Sequence, residues 1–561
     1  MLTSLSLANV LPYIESEIEQ LSHQQITDPA HPGYGAVVTS DDGRPSPWRT
    51  AALIVAGTYV FVGRGDLGEP TVHRMVLAAD ALLGMQRLSG LIDLPTVNID
   101  SGPDTAFAVQ RLCTAVELLR TQPNLGAAWG AITEGVERFI RRAAPGMCTG
   151  GFHTPNHRWV IASALAQSLA LFPDLEAAAT IEAYLLEGID VDAEGFFIER
   201  SIGVYDAVNT RAWLLLAENW DLPSRTLDAV GRNLRLDLHL LHGDGTAETG
   251  LSHRQDYGHR TVPTGLIPCY LLYNLARSEP AFCTAAQRIW QQAETPGDAQ
   301  WIAYALLRAG DPGPATDAVV DDFTLNLPKN GIWRLRRGPL SVSTFRDATR
   351  LLTLGYGRAM LSGIRIDQTY FGEACGHFIS DDMVSDERGV TLRSAGCGRP
   401  RRPGYELPLG REVPPEFWKA RVLDRSLREL PPATSELALV EIEGGVSLRY
   451  RTLEGLANVA AQIALDFEPG GIWETEDTRL HPQPGQVLFL KNGWGEMRYG
   501  TDVIRIEGGA HAHSMWRMRS TEAPGESVRI LLTFVTPVSH VFRLTGCSKP
   551  DAIESRTTES L

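Results

Sequence analysis

From the start of the chain to about residue 310, apolar residues recur three and four positions apart, in blocks up to about twenty residues long. That spacing buries one face of a helix. It predicts helices over Arg49 to Val60, Val72 to Leu88, Asp104 to Thr121, Ala127 to Arg142, Asn156 to Phe172, Leu175 to Glu187, Val204 to Trp220, Ser224 to Leu241 and Gly265 to Arg277. Breaks such as Phe172-Pro173-Asp174, Leu222-Pro223-Ser224 and Gly310-Asp311-Pro312-Gly313 supply the turns and caps expected between antiparallel helices. No fixed-length repeat accompanies them, so the expectation is an array of helix pairs rather than a solenoid of identical units.

Near residue 320 the pattern changes to alternation, Gly pairs and β-branched runs, which continue to about residue 545. Strands are predicted over Leu340 to Phe345, Ala438 to Ile442, Val446 to Tyr450, Ala457 to Phe467, Gln486 to Leu490, Val503 to Glu507 and Val528 to Val535. The chain therefore reads as an α+β multidomain protein, with a helical domain over 1–320, an antiparallel β-sandwich over 321–548 and a polar tail over 549–561. At 561 residues it exceeds what one hydrophobic core normally supports.

Composition narrows the function. A net charge of −16 argues against nucleic acid, whose binding draws mainly on Lys and Arg. A few arginines converging in one cleft could still hold an acidic sugar, because short-range bidentate pairing outweighs a screened global field. The seven cysteines are dispersed without CxxC spacing and read as free thiols. Residues 1–7 carry neither a basic n-region nor a sustained apolar run, and no stretch of about 18 apolar residues occurs. The expectation is an unexported, cytoplasmic enzyme without a membrane span.

Three polar segments interrupt the helical pattern. In Thr154-Pro155-Asn156-His157-Arg158-Trp159, Thr154 and Pro155 read as N-cap and first helical residue, which puts Asn156 and His157 in the first turn. In Glu199-Arg200-Ser201-Ile202-Gly203-Val204-Tyr205-Asp206-Ala207-Val208-Asn209, Tyr205 and Asn209 lie one turn apart on one helical face. The third runs from Asp244 to Arg260 and concentrates His253, Arg254, Tyr257, His259 and Arg260 without apolar periodicity. Each has a plain structural reading: a capped first turn, a hydrogen-bonded tyrosine between helices, a solvated loop. Together they suggest an amide, an imidazole and a phenol at helix mouths.

The Pro155 to Trp159 motif, the Arg200 to Arg211 stretch with Tyr205, and the later change to a β domain resemble the heparinase II/III-like group of polysaccharide lyases. The resemblance implies an incomplete (α/α) toroid followed by a β-sandwich, with Asn, His and Tyr acting on an acidic sugar. Carried over, Asn156 would bond the substrate carboxylate, His157 would assist or act as base, and Tyr205 would protonate the leaving glycosidic oxygen. Such a reaction needs donors that neutralise the carboxylate before its α-proton can leave, with base and acid within hydrogen-bond reach. Arg200, Arg211 and Arg254 are available cations. His253 joins the catalytic candidates, with the base open among His157, Tyr205 and His253, while Arg200, Asn209, Arg254, Tyr257 and His377 are the candidates for substrate binding. The group's HxHxD-type signature early in the β domain is missing from Leu354 to Leu361, and His377 is the nearest substitute.

The expected reaction is β-elimination on a uronate-containing oligosaccharide or polysaccharide, giving an unsaturated sugar. Its rivals are a glycoside hydrolase using Asp244, Glu248 or Glu199, and a non-catalytic carbohydrate-binding protein. No cofactor is required. A structural divalent metal on His511 and His513 would need a third ligand such as Asp381 or Asp382, and packing is the favoured reading of both histidines. Packing is likewise favoured over sugar stacking for Trp473, Trp494 and Trp516. The expected partner is an acidic oligosaccharide, with no nucleic acid or membrane, and a homodimer is left open.

Overall fold

The computed structural model describes residues 4–95, 97–123, 125–314, 321–369, 376–396, 407–417, 424–426, 431–515, 518 and 524–550. They fall into two compact units, one taking the chain to 241 and from 245 to 314, the other taking 242–244 and the described residues from 321 onward.

Among the described residues, the first unit carries twelve α-helices: α1 (Leu7–His23), α2 (Pro47–Arg64), α3 (Glu69–Gly84), α4 (Gly102–Arg120), α5 (Ala127–Thr149), α6 (Pro155–Leu171), α7 (Ala178–Leu186), α8 (Tyr205–Asn219), α9 (Ser224–His239), α10 (Leu266–Ala276), α11 (Pro280–Gln292) and α12 (Ala299–Ala309). The even-numbered helices touch in succession from α2 to α12, and α12 returns to α2, closing a ring of contacts. Odd-numbered helices pack onto them: α3 on α2, α5 on α4, α7 on α6, α9 on α8 and α11 on α10.

Sequence explains the division. Trp159 to Ser168 in α6 is buried on every side, as its nearly unbroken apolar and small-residue run requires. By contrast, α9 buries Val230 and Leu234 but exposes Arg225 and partners exposed Arg235 with Glu279. Ser6, Ser46 and Ser101 cap α1, α2 and α4 through side-chain oxygens that accept from Asn9, Arg49 and Asp104 N–H groups. Among the described residues no helix is long and apolar enough to cross a membrane.

The described residues of the second unit form a nine-stranded and an eight-stranded sheet. The predicted strands Leu340–Phe345 and Val528–Val535 are observed with those ends. In the eight-stranded sheet Ala460–Phe467 lies between Ala359–Gln368 and Val528–Val535, antiparallel to both. Pairing is antiparallel throughout the registered ladders except between Val487–Phe489 and Val528–Val535, which run parallel. One hydrophobic core draws on both sheets, joining Val342, Ile364, Ile463 and Ile530 with Leu439, Leu448, Ile504 and Leu544. The tripeptide His242–Asp244 belongs with this unit, where His242 Nδ1 lies 2.7 Å from Ser341 Oγ.

Candidate active site

The start of α6 follows the predicted cap in its backbone but not in its side chain. Thr154 is the N-cap, its hydroxyl makes no cap bond, and it accepts instead from Asn156 Nδ2 at 3.3 Å. Asn156 is fully buried and donates from Nδ2 to both oxygens of Glu199, at 2.9 and 3.1 Å. Asn209, also fully buried, donates to Glu199 Oε2 at 3.2 Å. A carboxylate accepts only, so it fixes both amides with nitrogen inward and leaves both Oδ1 atoms without partners.

Glu199 is therefore the hub that sequence reading had placed only among hydrolase candidates. It is 3% exposed, and Arg254 Nη1 lies 3.3 Å from its Oε1. Burial raises its carboxyl pKa, against the pull of the two amides and Arg254. The chain reverses just after it through Arg200, whose φ of 50° lies in the left-handed region. That turn separates the inward Glu199 from half-buried Arg200, whose guanidinium lies 5.6 Å from the Phe196 ring.

Tyr205 opens α8, its backbone N–H held by Ser201 Oγ at 3.1 Å. The Arg254 guanidinium sits 4.3 Å from the phenol ring centroid, and Gln255 Nε2 donates to the phenol oxygen at 2.7 Å. The phenol keeps its own proton to give, while a cation and a donor stand ready to stabilise a phenolate. Arg254 spends one nitrogen on Glu199, and its Nε is buried without a partner. The loop bearing Arg254 is tied down by Asp256, which accepts from Ser201 Oγ, Ser252 Oγ and the Gly203 N–H.

Two histidines flank this cluster in different states. His253 Nδ1 lies 3.2 Å from the Ile198 carbonyl oxygen. A carbonyl only accepts, so Nδ1 carries a proton, and Nε2 is the exposed ring nitrogen that acts as acceptor in the neutral tautomer. His157 packs edge-on against His153 and Phe107, and its Nδ1 is buried without a partner. Burial, helped by His153 and Arg254, pushes its pKa down to about 4, so it is neutral and a weak base at neutral pH.

Tyr257 is exposed, and His377 belongs to the second unit, where Nδ1 meets Asp367 Oδ1. Asp244 also belongs to that unit, and Glu248 Oε1 accepts from the Gly250 N–H at 2.9 Å. His511 makes an isolated bridge with Thr533 and packs edge-on against Phe489, and His513 Nε2 faces the Ala461 carbonyl, so neither sits in the strand foreseen. Trp473 is buried in the core, Arg505 covers Trp494, and Trp516 lies outside the described residues. Five cysteines are free thiols, while Cys375 and Cys397 lie outside the described residues.

Sequence reading missed two features. Gln255 had no periodic or motif signal. Asp206 and Asp237 form a buried acid pair between α8 and α9, and each carboxyl pKa is raised chiefly by burial. The signal for Asp237 was available: it falls on the buried stripe of α9 with Val230, Asn233 and Leu234.

No family model matches the chain, and no curated protein matches it by sequence. Solved structures similar in fold include a heparinase III gene product, with 10% identity, 96% of this chain and 84% of that one covered, and a TM-score of 0.52. A heparan sulfate lyase mutant from Pedobacter heparinus gives 11% identity, 96% and 84% coverage and a TM-score of 0.52. A Paenibacillus xanthan lyase gives 9% identity, 99% and 58% coverage and a TM-score of 0.60. These similar structures are polysaccharide lyases, which agrees with the resemblance drawn from the Pro155 and Tyr205 segments at the level of fold.

Proposed function

We propose that the protein is a lyase that cleaves a uronate-containing oligosaccharide or polysaccharide by β-elimination. The ring of even-numbered helices is the (α/α) toroid of this reading, closed by the α12 to α2 contact rather than incomplete, and the two sheets are its β-sandwich. The observation that carries the proposal is the stacking of Arg254 on Tyr205, with the same guanidinium anchored on Glu199.

Arg254 directs its remaining donors at the substrate carboxylate and lowers the cost of removing the α-proton. His253 Nε2 takes that proton, a carbon–carbon double bond forms, the β carbon–oxygen bond breaks, and Tyr205 gives its proton to the departing glycosidic oxygen. Gln255 and Arg254 stabilise the phenolate that results. Asn156 and Asn209 act through Glu199, because their amide nitrogens are committed to it and both residues are buried. Arg200 and Tyr257 are left for outer sugar contacts.

Incubation with uronate oligosaccharides should produce the ultraviolet absorbance of an enoate. A hydrolase centred on Glu199 is the second reading, favoured by its raised carboxyl pKa within the cluster. New reducing ends without enoate absorbance would sink the lyase in its favour.

A further inference from the structure

Deeper in the first unit lies a second cationic cluster that the lyase reading leaves unused. Arg111 on α4 and Arg211 on α8 both lie over the indole of Trp301 on α12, their guanidinium carbons 5.9 and 4.5 Å from the ring centroid. All three helices belong to the even-numbered ring. Arg211 is 4% exposed, its Nε is buried without a partner, and the Trp301 indole N–H is likewise buried and unpartnered. Among the described residues, neither guanidinium makes a hydrogen bond or an ion pair through its side chain.

A buried guanidinium without a carboxylate is costly, and stacking on one indole offsets only part of that cost. The surrounding groups do little to neutralise it. The Tyr59 phenol on α2 and the Cys269 thiol on α10 are held neutral by burial, the thiol pKa being pushed up to about 12. Asp298 and Glu17 supply the carboxyls within electrostatic reach, and neither forms an ion pair with either arginine. Glu17 is itself pushed toward its neutral form by burial and accepts from Gln300 Nε2 at 2.9 Å. The unpartnered groups on Arg211 and Trp301 are donors, while Gln300 Oε1 is a buried acceptor without a partner.

We propose that Arg111, Arg211 and the Trp301 N–H form a binding site for an oxyanion, either the acidic group of a sugar or a free inorganic anion. Arg111 is only partly buried, which gives the site a route to solvent. Charge-assisted hydrogen bonds and a fixed indole N–H match a carboxylate or sulfate and offer nothing to a neutral hydroxyl beyond what water offers.

Calorimetric titration of the full chain at low ionic strength tests this, using glucuronate, inorganic sulfate and glucose. Glucuronate or sulfate should bind saturably and glucose should not. Arg111→Gln, at the accessible edge, should weaken anion binding about tenfold or more, the loss expected for one charged hydrogen bond. Trp301→Phe should weaken it less. Strong glucuronate binding with weak sulfate binding assigns the site to a sugar acid, whereas equal binding assigns it to free oxyanions. Absence of anion binding, or binding unchanged in both variants, overturns the proposal. Tyr205→Phe should bind the anion as the wild type does whatever its turnover, so failure of this site and failure of the lyase reading are separable.

Discussion

The two units treat buried arginine differently. In the β unit Arg529, 2% exposed, forks onto Asp466 with Nε to Oδ1 at 2.7 Å and Nη2 to Oδ2 at 2.9 Å. Arg254 in the helical unit makes one contact of 3.3 Å with Glu199 and keeps Nε unpartnered, and Arg211 has no carboxylate within ion-pair distance. A completed fork neutralises its charge within the fold, so its removal is a question of stability. An incomplete one keeps donors available at a standing energetic cost, and such sites are where ligands bind. Arg529 has spent its charge on structure, while Arg254 and Arg211 have held some back.

Removing one charge from each unit tests that difference. Asp466→Ala should cost about 3–5 kcal/mol of stability, because it strands Arg529 in the core. Arg211→Met should be neutral or stabilising in the absence of anion, since it removes a buried cation that has no ion-pair partner. Chemical denaturation of the full chain measures both, and equal losses would collapse the distinction.

Turnover sharpens the same contrast. Tyr205→Phe should lower the rate of enoate formation by about 10²–10⁴-fold, the usual worth of a positioned acid, without changing the denaturation midpoint. Retained activity would remove Tyr205 from proton transfer. Glu199→Gln should act more mildly, by about tenfold to a hundredfold, since it weakens the charged bonds that orient Arg254 and the two asparagines. Its loss should fall on kcat more than on KM, because Glu199 positions groups rather than holding sugar.

The helical periodicity placed α6 to within a residue at each end, because a helix buried on all sides needs a long apolar run and little else. The cluster was legible only as a parts list. Tyr205 and Arg254 carried a polar signal at a helix mouth and in a loop, and the fold stacks them. Glu199 was harder to weigh: after Phe196, Phe197 and Ile198 it resembles a solvated strand end, yet it is buried at 3% exposure because two amides and an arginine from three other points in the chain converge on it. Spacing along a sequence carries no record of such long-range convergence. His377, the nearest substitute for a missing signature, pairs with Asp367 in its own unit, a contact that spacing does not record.

The smallest expected effects concern pH, where the helical unit's unsatisfied groups should act from both sides. His157 has a folded pKa of about 4 against 6.5 for the free group, so the unfolded chain takes up a proton first as pH falls. Stability from this group is present above pH 6.5 and is lost progressively down to about pH 4. The Asp206 and Asp237 pair works in the opposite sense. Asp206 is raised from 3.8 to about 7, so the unfolded chain loses its proton first and stability falls as pH rises through that interval. Thermal midpoints measured from pH 4 to 9 should show His157→Gln flattening the acid limb. Asp237→Asn should lessen the loss of stability as pH rises through the interval from 3.8 to about 7, because an amide can donate to an ionised Asp206 where a second carboxylate would repel it. If Asp237→Asn instead lowered the midpoint equally at every pH, the acid pair would be ordinary packing and the helical unit's polarity would resemble that of the β unit.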